Sequence, residues 1–295
     1  MKRRNFLKKG LQVASLPALA MHYPSRTLAG SNSNLKLSLN AFSFNAALRD
    51  GSVGIETLFD FCAGQGFAAV DLTAYYIPGY PEVPSDEVLF GIKKLAHHRG
   101  LHISGTGVRN NFTESDPVIR KGEIDLVKRW VVAAAKLGAP VLRVFAGPRL
   151  QEGMVWEEKA ALVVEACREC AAFAANHGVI LAMQNHNEFI QSAAQVEQIM
   201  REVDEEWFGL VLDIGSYSQA DPYEEIQKNI RYAVNWQLKE NVNHFGIQKP
   251  VDLAKLMPLI RDSDYQGYLP IETLGPGDPF EKVTRFLARV RAEMG

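Results

Sequence analysis

"EKAALVVEACRECAAFAANHG" (158–178) runs directly into "VILAMQNHNEF" (179–189), and this junction holds the repeating unit of the chain. The first stretch has the three-and-four apolar spacing of an amphipathic helix and closes on Gly178, a residue suited to the left-handed turn that ends helices. The second is an apolar run of strand length, Val179 to Met183, that breaks abruptly into Gln184, Asn185, His186, Asn187 and Glu188. Apolar strands that open into a knot of polar side chains mark candidate sites. The "CREC" at Cys167–Cys170 has no second cysteine pair elsewhere, so it reads as small core residues on a helix face rather than as a zinc or redox motif.

The same unit recurs along the chain. Short apolar runs appear at 37–44, 68–73, 101–107, 141–147, 179–185, 209–215, 233–239 and 267–273, with stretches of helical period between them. "GIETLFDFCAGQGF" (54–67) is one such stretch. The last, "PFEKVTRFLARVRAEM" (279–294), spaces Phe280, Val283, Phe286, Leu287 and Val290 along one buried face. Gly66, Gly100, Gly138 and Gly178 stand where helices should end. Strands alternating with helices imply parallel pairing, and eight units in about 260 residues is the size of a closed (β/α)8 TIM barrel in a single domain, residues 35–295. A doubly wound open sheet would call for a Gly-rich phosphate loop after its first strand, and "FSFNAALRDGS" has none.

Composition agrees with a globular chain: 47% hydrophobic and 22% charged residues. No apolar run reaches the length of a membrane span. The net charge of -2 conceals an asymmetry, since the first twenty residues carry Lys2, Arg3, Arg4, Lys8 and Lys9 and no acid. The remainder is acidic without a basic stripe, which argues against nucleic acid as a partner. The basic start, the modestly apolar "LQVASLPALA" and Ala18-Leu19-Ala20 read as a signal peptide. "RRNFLK" (3–8) resembles a twin-arginine export signal, which implies a periplasmic destination. Residues 21–34 read as a linker. Nothing in the sequence sets an oligomeric state.

In a barrel of this kind the active site lies at the C-terminal ends of the strands. The first run ends near Asn45. The second delivers Asp71 and a loop with Tyr75, Tyr76 and Tyr80, and the third leads to Arg109, Asn110 and Asn111. The fourth carries Arg143, the fifth Gln184, His186 and Glu188, and the sixth Asp213. The seventh carries Gln237, Lys239 and Glu240, and the eighth Glu272. Asp213 and Glu272 each follow an uninterrupted apolar run, where a carboxylate without a cation is strongly disfavoured. Aromatic rings beside amides and carboxylates suit a polyhydroxylated ligand, because rings stack on C–H faces while polar groups meet hydroxyls. Without a glycine nest, a neutral sugar is favoured over a sugar phosphate.

At these strand ends the sequence resembles the xylose-isomerase-like barrels of the sugar phosphate isomerase/epimerase family. The motifs are "QNH" (184–186) for Glu-Asn-His, "DIG" (213–215) for Asp-x-Gly, "QLKE" (237–240) for His-x-Lys-Asp and "IET" (271–273). The resemblance implies a divalent metal held at Gln184, Asp213, Gln237 and Glu272. Gln184 and Gln237 depart from the family's Glu and His. The resulting all-oxygen set would favour Mn²⁺, Mg²⁺ or Ca²⁺ over Zn²⁺; the alternative is a metal-free pocket in which Lys239 neutralises the carboxylates. Family epimerases resembling this chain use two metal-bound glutamates, one on each face of the substrate. Gln184 cannot take a proton, so Glu272 or His186 becomes the expected base and Lys239 the stabiliser of an enediolate. Asn45, Tyr75, Tyr76, Arg109, Arg143, Glu188 and Glu240 are the expected substrate contacts.

The expected activity is isomerisation or epimerisation of a neutral sugar or keto-sugar, by removing a proton next to a carbonyl. Elimination or hydration of a keto-sugar on the same site is the alternative. A non-catalytic sugar-binding protein, or a hydrolase built on Asp71, Glu188 and Glu272, would be a different class.

Overall fold

The computed structural model describes residues 35–186 and 188–294. The expected leader and linker, residues 1–34, lie outside the described residues. The first seven strands are β1 (Lys36–Asn40), β2 (Ala69–Asp71), β3 (His102–Gly107), β4 (Val141–Val144), β5 (Ile180–Gln184), β6 (Phe208–Asp213) and β7 (Ala233–Lys239). Next come β8 (Asn241–His244), β9 (Ile247–Pro250) and β10 (Tyr268–Glu272). Eight of them close into a barrel in the order β1-β10-β7-β6-β5-β4-β3-β2, every pair parallel. Each barrel strand falls on one of the eight apolar runs. Most are shorter than their run, because the last residues leave the ladder to form the loops of the mouth. After β1, for example, Ala41–Phe44 turns into a 3-10 helix capped by Asn40, whose side chain accepts from Phe42 N.

The outer layer comprises α1 (Asn45–Asp50), α2 (Ile55–Gly64), α3 (Asp86–His98), α4 (Pro117–Leu137) and α5 (Trp156–Ala175). It continues with α6 (Ala193–Val203), α7 (Pro222–Asn229), α8 (Leu253–Arg261) and α9 (Pro279–Met294). Local chemistry sets their ends. Asp116 accepts from Val118 N and Ile119 N ahead of Pro117, and Gly138 ends α4 at φ 78°, in the left-handed region a side chain would resist. The main core lies between helices and barrel, around Phe59, Trp130, Val163 and Leu212. Cys167 and Cys170 are buried there as free thiols on α5, and Val283, Phe286, Leu287 and Val290 are buried on α9. Phe280 packs edge-on against Phe44 and Phe61. Among the described residues, no helix is long and apolar enough to cross a membrane.

A second, smaller cluster joins Val141, Ala182 and Val211 on neighbouring strands β4, β5 and β6. Two residues further along each strand, and so on the same face, stand Arg143, Gln184 and Asp213. The small apolar layer therefore supports a polar one at the mouth. The sequence reading did not anticipate the hairpin β8–β9, which turns at Phe245 (φ 51°) and Gly246 (φ 84°), both left-handed as a two-residue hairpin turn requires.

Candidate active site

Two asparagines hold the strand ends in register. Asn185 Nδ2 donates to Asp213 O (2.9 Å), while Asp213 N donates to Asn185 Oδ1 (2.8 Å). Asn110 does the same to Phe145, with Nδ2 to the carbonyl (2.8 Å) and Oδ1 from the N–H (2.9 Å). Each amide extends the sheet by one rung beyond the last backbone pair. The position of Asp213 at the mouth thus depends on the residue next to Gln184.

Asp213 is fully buried and surrounded by donors. Its Oδ2 accepts from Gln184 Nε2, Ser216 Oγ and Lys239 Nζ, each at 2.7 Å, and its Oδ1 accepts from Gly215 N at 2.9 Å. Burial works to raise its pKa, but the Lys239 charge and these hydrogen bonds outweigh it, so the carboxyl is held below the usual range. Burial likewise opposes the Lys239 charge. Asp213 and Glu272 overcome it and raise the ammonium pKa.

Glu272, at the end of β10, is equally buried but differently served. Among the described residues, no lysine or arginine pairs with it within the reach of a salt bridge. Burial pushes its pKa up to about 7, against the partial relief of Lys239. Gln184 Nε2 donates to Gln237 Oε1 at 2.6 Å. Turning the Gln237 amide end for end would place its NH₂ 3.2 Å from both Glu272 Oε2 and Asp213 Oδ2 and its oxygen 3.3 Å from Asn40 Nδ2, but also its NH₂ 2.6 Å from the NH₂ of Gln184. The unturned orientation avoids that donor–donor contact, and a protonated Glu272 can donate to Gln237 Oε1.

Three cavities meet at this point. The central one, about 110 Å³, is lined by Asn40, Thr73, Arg143, Gln184, Gln237 and Glu272 among others. It shares Phe42, Tyr75, Phe145 and His186 with a cavity of about 410 Å³ that also includes Arg109, Asn111, Glu123 and Glu188. It shares His186, Lys239, Glu272 and Leu274 with a third, of about 380 Å³, walled by Ser216, Glu240, Asn241 and Gln248. His186 borders all three. It lies past the end of β5, its N–H bonded back to Gln184 O at 2.8 Å. The turn, rather than strand alternation, therefore brings His186 and Gln184 to one wall. Burial lowers the pKa of His186 despite the pull of Asp213. Its Nδ1 stands 3.6 Å from Glu188 Oε2 and has no hydrogen-bond partner among the described residues.

Arg143 is clamped within the barrel, with Nη1 to Val108 O and Nη2 to Tyr75 Oη, both at 2.7 Å, and Phe145 lies under its guanidinium. The clamp requires Gly107, where a Cβ would stand 2.7 Å from Arg143 Nε. Tyr75 faces the cavities, whereas Tyr76 donates to Asn45 Oδ1 (3.0 Å) and lines none of the three. Asn45 lines a fourth cavity, of about 310 Å³ beside α1, which shares Phe42 and Leu274 with the central one. Glu240 reaches the third cavity but is also tied to Lys282 Nζ (3.2 Å) and Leu274 N (3.2 Å). Asp71 sits deeper, bonded to Asn235 Nδ2 at 2.8 Å, and burial raises its pKa to about 6. It lines none of the three cavities, unlike Glu188 and Glu272. The sequence reading missed Phe42, Phe145, Ser216 and the hairpin wall, and gave Asn185 no role beyond its place in the motif. Phe145 alone carried a signal there, as an aromatic directly after a strand.

The divalent cation expected at Gln184, Asp213, Gln237 and Glu272 does not fit this donor set. Gln184 turns its NH₂, a donor, toward Asp213, and Lys239 already stands on the oxygen a cation would take. Among the described residues, no three His, Cys, Asp or Glu side chains form a group able to hold a metal.

The sequence profile of the xylose isomerase-like TIM barrel family matches residues 59–290. The chain belongs to that family. No curated protein matches the chain. Among solved structures, it is similar to D-psicose 3-epimerase from Clostridium cellulolyticum H10, with a TM-score of 0.73 and 16% identity over 88% of this chain and 99% of that one. It is similar to 3-keto-D-glucoside 4-epimerase from E. coli (TM-score 0.67, 15% identity, 88% and 99% covered). A third is a probable 3-DHS dehydratase from Bacillus anthracis (TM-score 0.66, 17% identity, 88% and 97% covered). At these identities the likeness is one of fold.

Proposed function

We propose that this chain is an isomerase- or epimerase-like enzyme that removes a proton next to the carbonyl of a neutral sugar or keto-sugar. The observation that carries this reading is Glu272, a buried carboxyl with a pKa of about 7, which lines the central cavity beside the Lys239 ammonium. A base poised near the working pH is what carbon acids need. In the forward step Glu272 takes the proton from carbon, the C–H electron pair moves toward the carbonyl oxygen, and Lys239 donates to the enolate that forms. His186, neutral at pH 7 because its pKa is lowered, is placed to exchange a proton with a hydroxyl on the same ligand. Return of a proton to carbon completes isomerisation or epimerisation. Loss of a neighbouring hydroxyl, protonated by Glu272 with the proton it took from carbon, gives elimination instead.

The lining supports a polyhydroxylated ligand, with Tyr75, Phe42 and Phe145 offering ring faces and Asn40, Arg143 and Gln237 offering hydrogen bonds. The two outer cavities give room for substituents beyond the reacting ring, which favours a keto-glycoside over a small ketose. The ketose and keto-glycoside epimerases and the dehydratase of like fold are consistent with either outcome. The basic N-terminal segment supports twin-arginine export to the periplasm, with 1–34 as leader and linker and 35–295 as the barrel.

Solvent deuterium exchange at carbon, followed by NMR over aldoses, ketoses and 3-keto-glycosides, tests the reading. Exchange should occur on at least one and be abolished by Glu272→Gln. Tight sugar binding with no exchange in the native protein would favour a binding protein.

A further inference from the structure

We infer that the Lys239 ammonium takes the place of a divalent cation in this barrel, so that the site works without a metal. Four observations converge on it. First, Asp213 Oδ2 is fully engaged, accepting from Gln184, Ser216 and Lys239, while Oδ1 accepts from Gly215 N. A dication on Oδ2 would have to displace at least the ammonium.

Second, Gln184 presents nitrogen to the cluster. Rotating its amide to offer oxygen would give up its hydrogen bonds to Asp213 Oδ2 and Gln237 Oε1. Third, the carboxylates already have cations beside them. Lys239 stands on Asp213, and both Lys239 and Arg143 act on Glu272, so a dication entering the cluster would meet two fixed positive charges. Fourth, the glutamines at 184 and 237 take one negative charge and one nitrogen ligand out of the set that the family resemblance implies, and their amides bond to each other. Strand β7 carries both parts of the exchange, since Gln237 and Lys239 are two residues apart and share a face.

The ammonium is positioned for the role. One of its three N–H groups is spent on Asp213, and the side chain lines both the central and the third cavity. The remaining donors can meet a carbonyl oxygen as it gains negative charge, which is where fixed positive charge accelerates proton abstraction. Only this catalytic role rests on the proton-abstraction reading; the absence of a metal requirement does not.

The test uses the full chain purified without chelator. Elemental analysis should find far less than one Mn, Mg, Ca or Zn per chain. Neither EDTA nor added Mn²⁺ should move the Tm, whereas Lys239→Met, which frees Asp213, should gain a Tm rise with Mn²⁺. Lys239→Arg, which keeps the cation, should show no such gain and guards against misfolding of the methionine variant. One metal per native chain, or a native Tm raised by Mn²⁺, would overturn the inference. Deuterium exchange separates the two readings. If present, it should survive EDTA and fall about 100-fold or more in Lys239→Met. A metal-free protein with no exchange on any sugar would refute the enzymatic reading and leave the metal-free site standing.

Discussion

Asp213 on β6 and Glu272 on β10 end neighbouring arcs of one barrel, each after a run of buried apolar residues, yet the fold treats them in opposite ways. Around Asp213 the protein supplies four donors and fixes its backbone through Asn185, so the carboxylate stays ionised and lines none of the three cavities at the mouth. Around Glu272 it supplies burial and a distant share of Lys239, so the carboxyl is poised near neutrality and faces two cavities. A satisfied carboxylate holds other groups in place, and an unsatisfied one retains its reactivity. Position in the barrel does not distinguish the two; the number of donors around each does.

The comparison can be broken by exchanging each carboxyl for its amide. Asp213→Asn leaves the buried Lys239 ammonium without its partner and should destabilise the protein by about 3–5 kcal/mol in urea unfolding. Glu272→Gln should act in the other direction. Its folded pKa lies above the unfolded one, so the folded state binds more protons between about pH 4.5 and 7, and native stability falls across that window as pH rises. At pH 8 the glutamine variant should therefore be more stable than the native protein, on the order of 3 kcal/mol. A loss of stability would show that Glu272 is satisfied after all. In the native protein, exchange should rise with pH and level off above about 7, as Glu272 loses its proton. Asp213, with its lowered pKa, contributes stability above the ordinary carboxylate range that is lost on acidification.

Smaller changes sharpen the contrast. Asn185→Ala removes both bonds to the Asp213 backbone and should cost about 1–3 kcal/mol. It should also weaken exchange, because the Lys239 anchor shifts with Asp213. Glu188→Gln, at the half-exposed rim beside His186, should change stability by less than about 0.5 kcal/mol. A larger change there would mean that the His186–Glu188 contact is structural rather than part of the cavity wall.

The eight strands were legible because a parallel strand covered on both faces must be continuously apolar, and the period of two or 3.6 survives in a single chain. Their C-terminal residues were legible as a site because polar side chains interrupt those runs at the same relative place. Asn185 and Asn110 were harder to read. Their work is to complete a neighbour's backbone hydrogen bonds, and nothing in a sequence shows which backbone a side chain will reach. The hairpin β8–β9 escaped for a related reason: it packs beside the mouth rather than in the core, so no long apolar run marks it.

The sequence by itself determined the barrel, its strand order in the chain and the presence of Gln184, Asp213, Gln237, Lys239 and Glu272 at the mouth. Those features follow from hydrophobic periodicity, which is local. Tertiary structure alone decided which of these groups meet. It set Lys239 and Gln184 on Asp213, left Glu272 facing a cavity, and thereby assigned the cation, the anchor and the base. Charge, donor count and burial act through space between strands far apart in the chain, and only the closed barrel brings them within hydrogen-bonding distance.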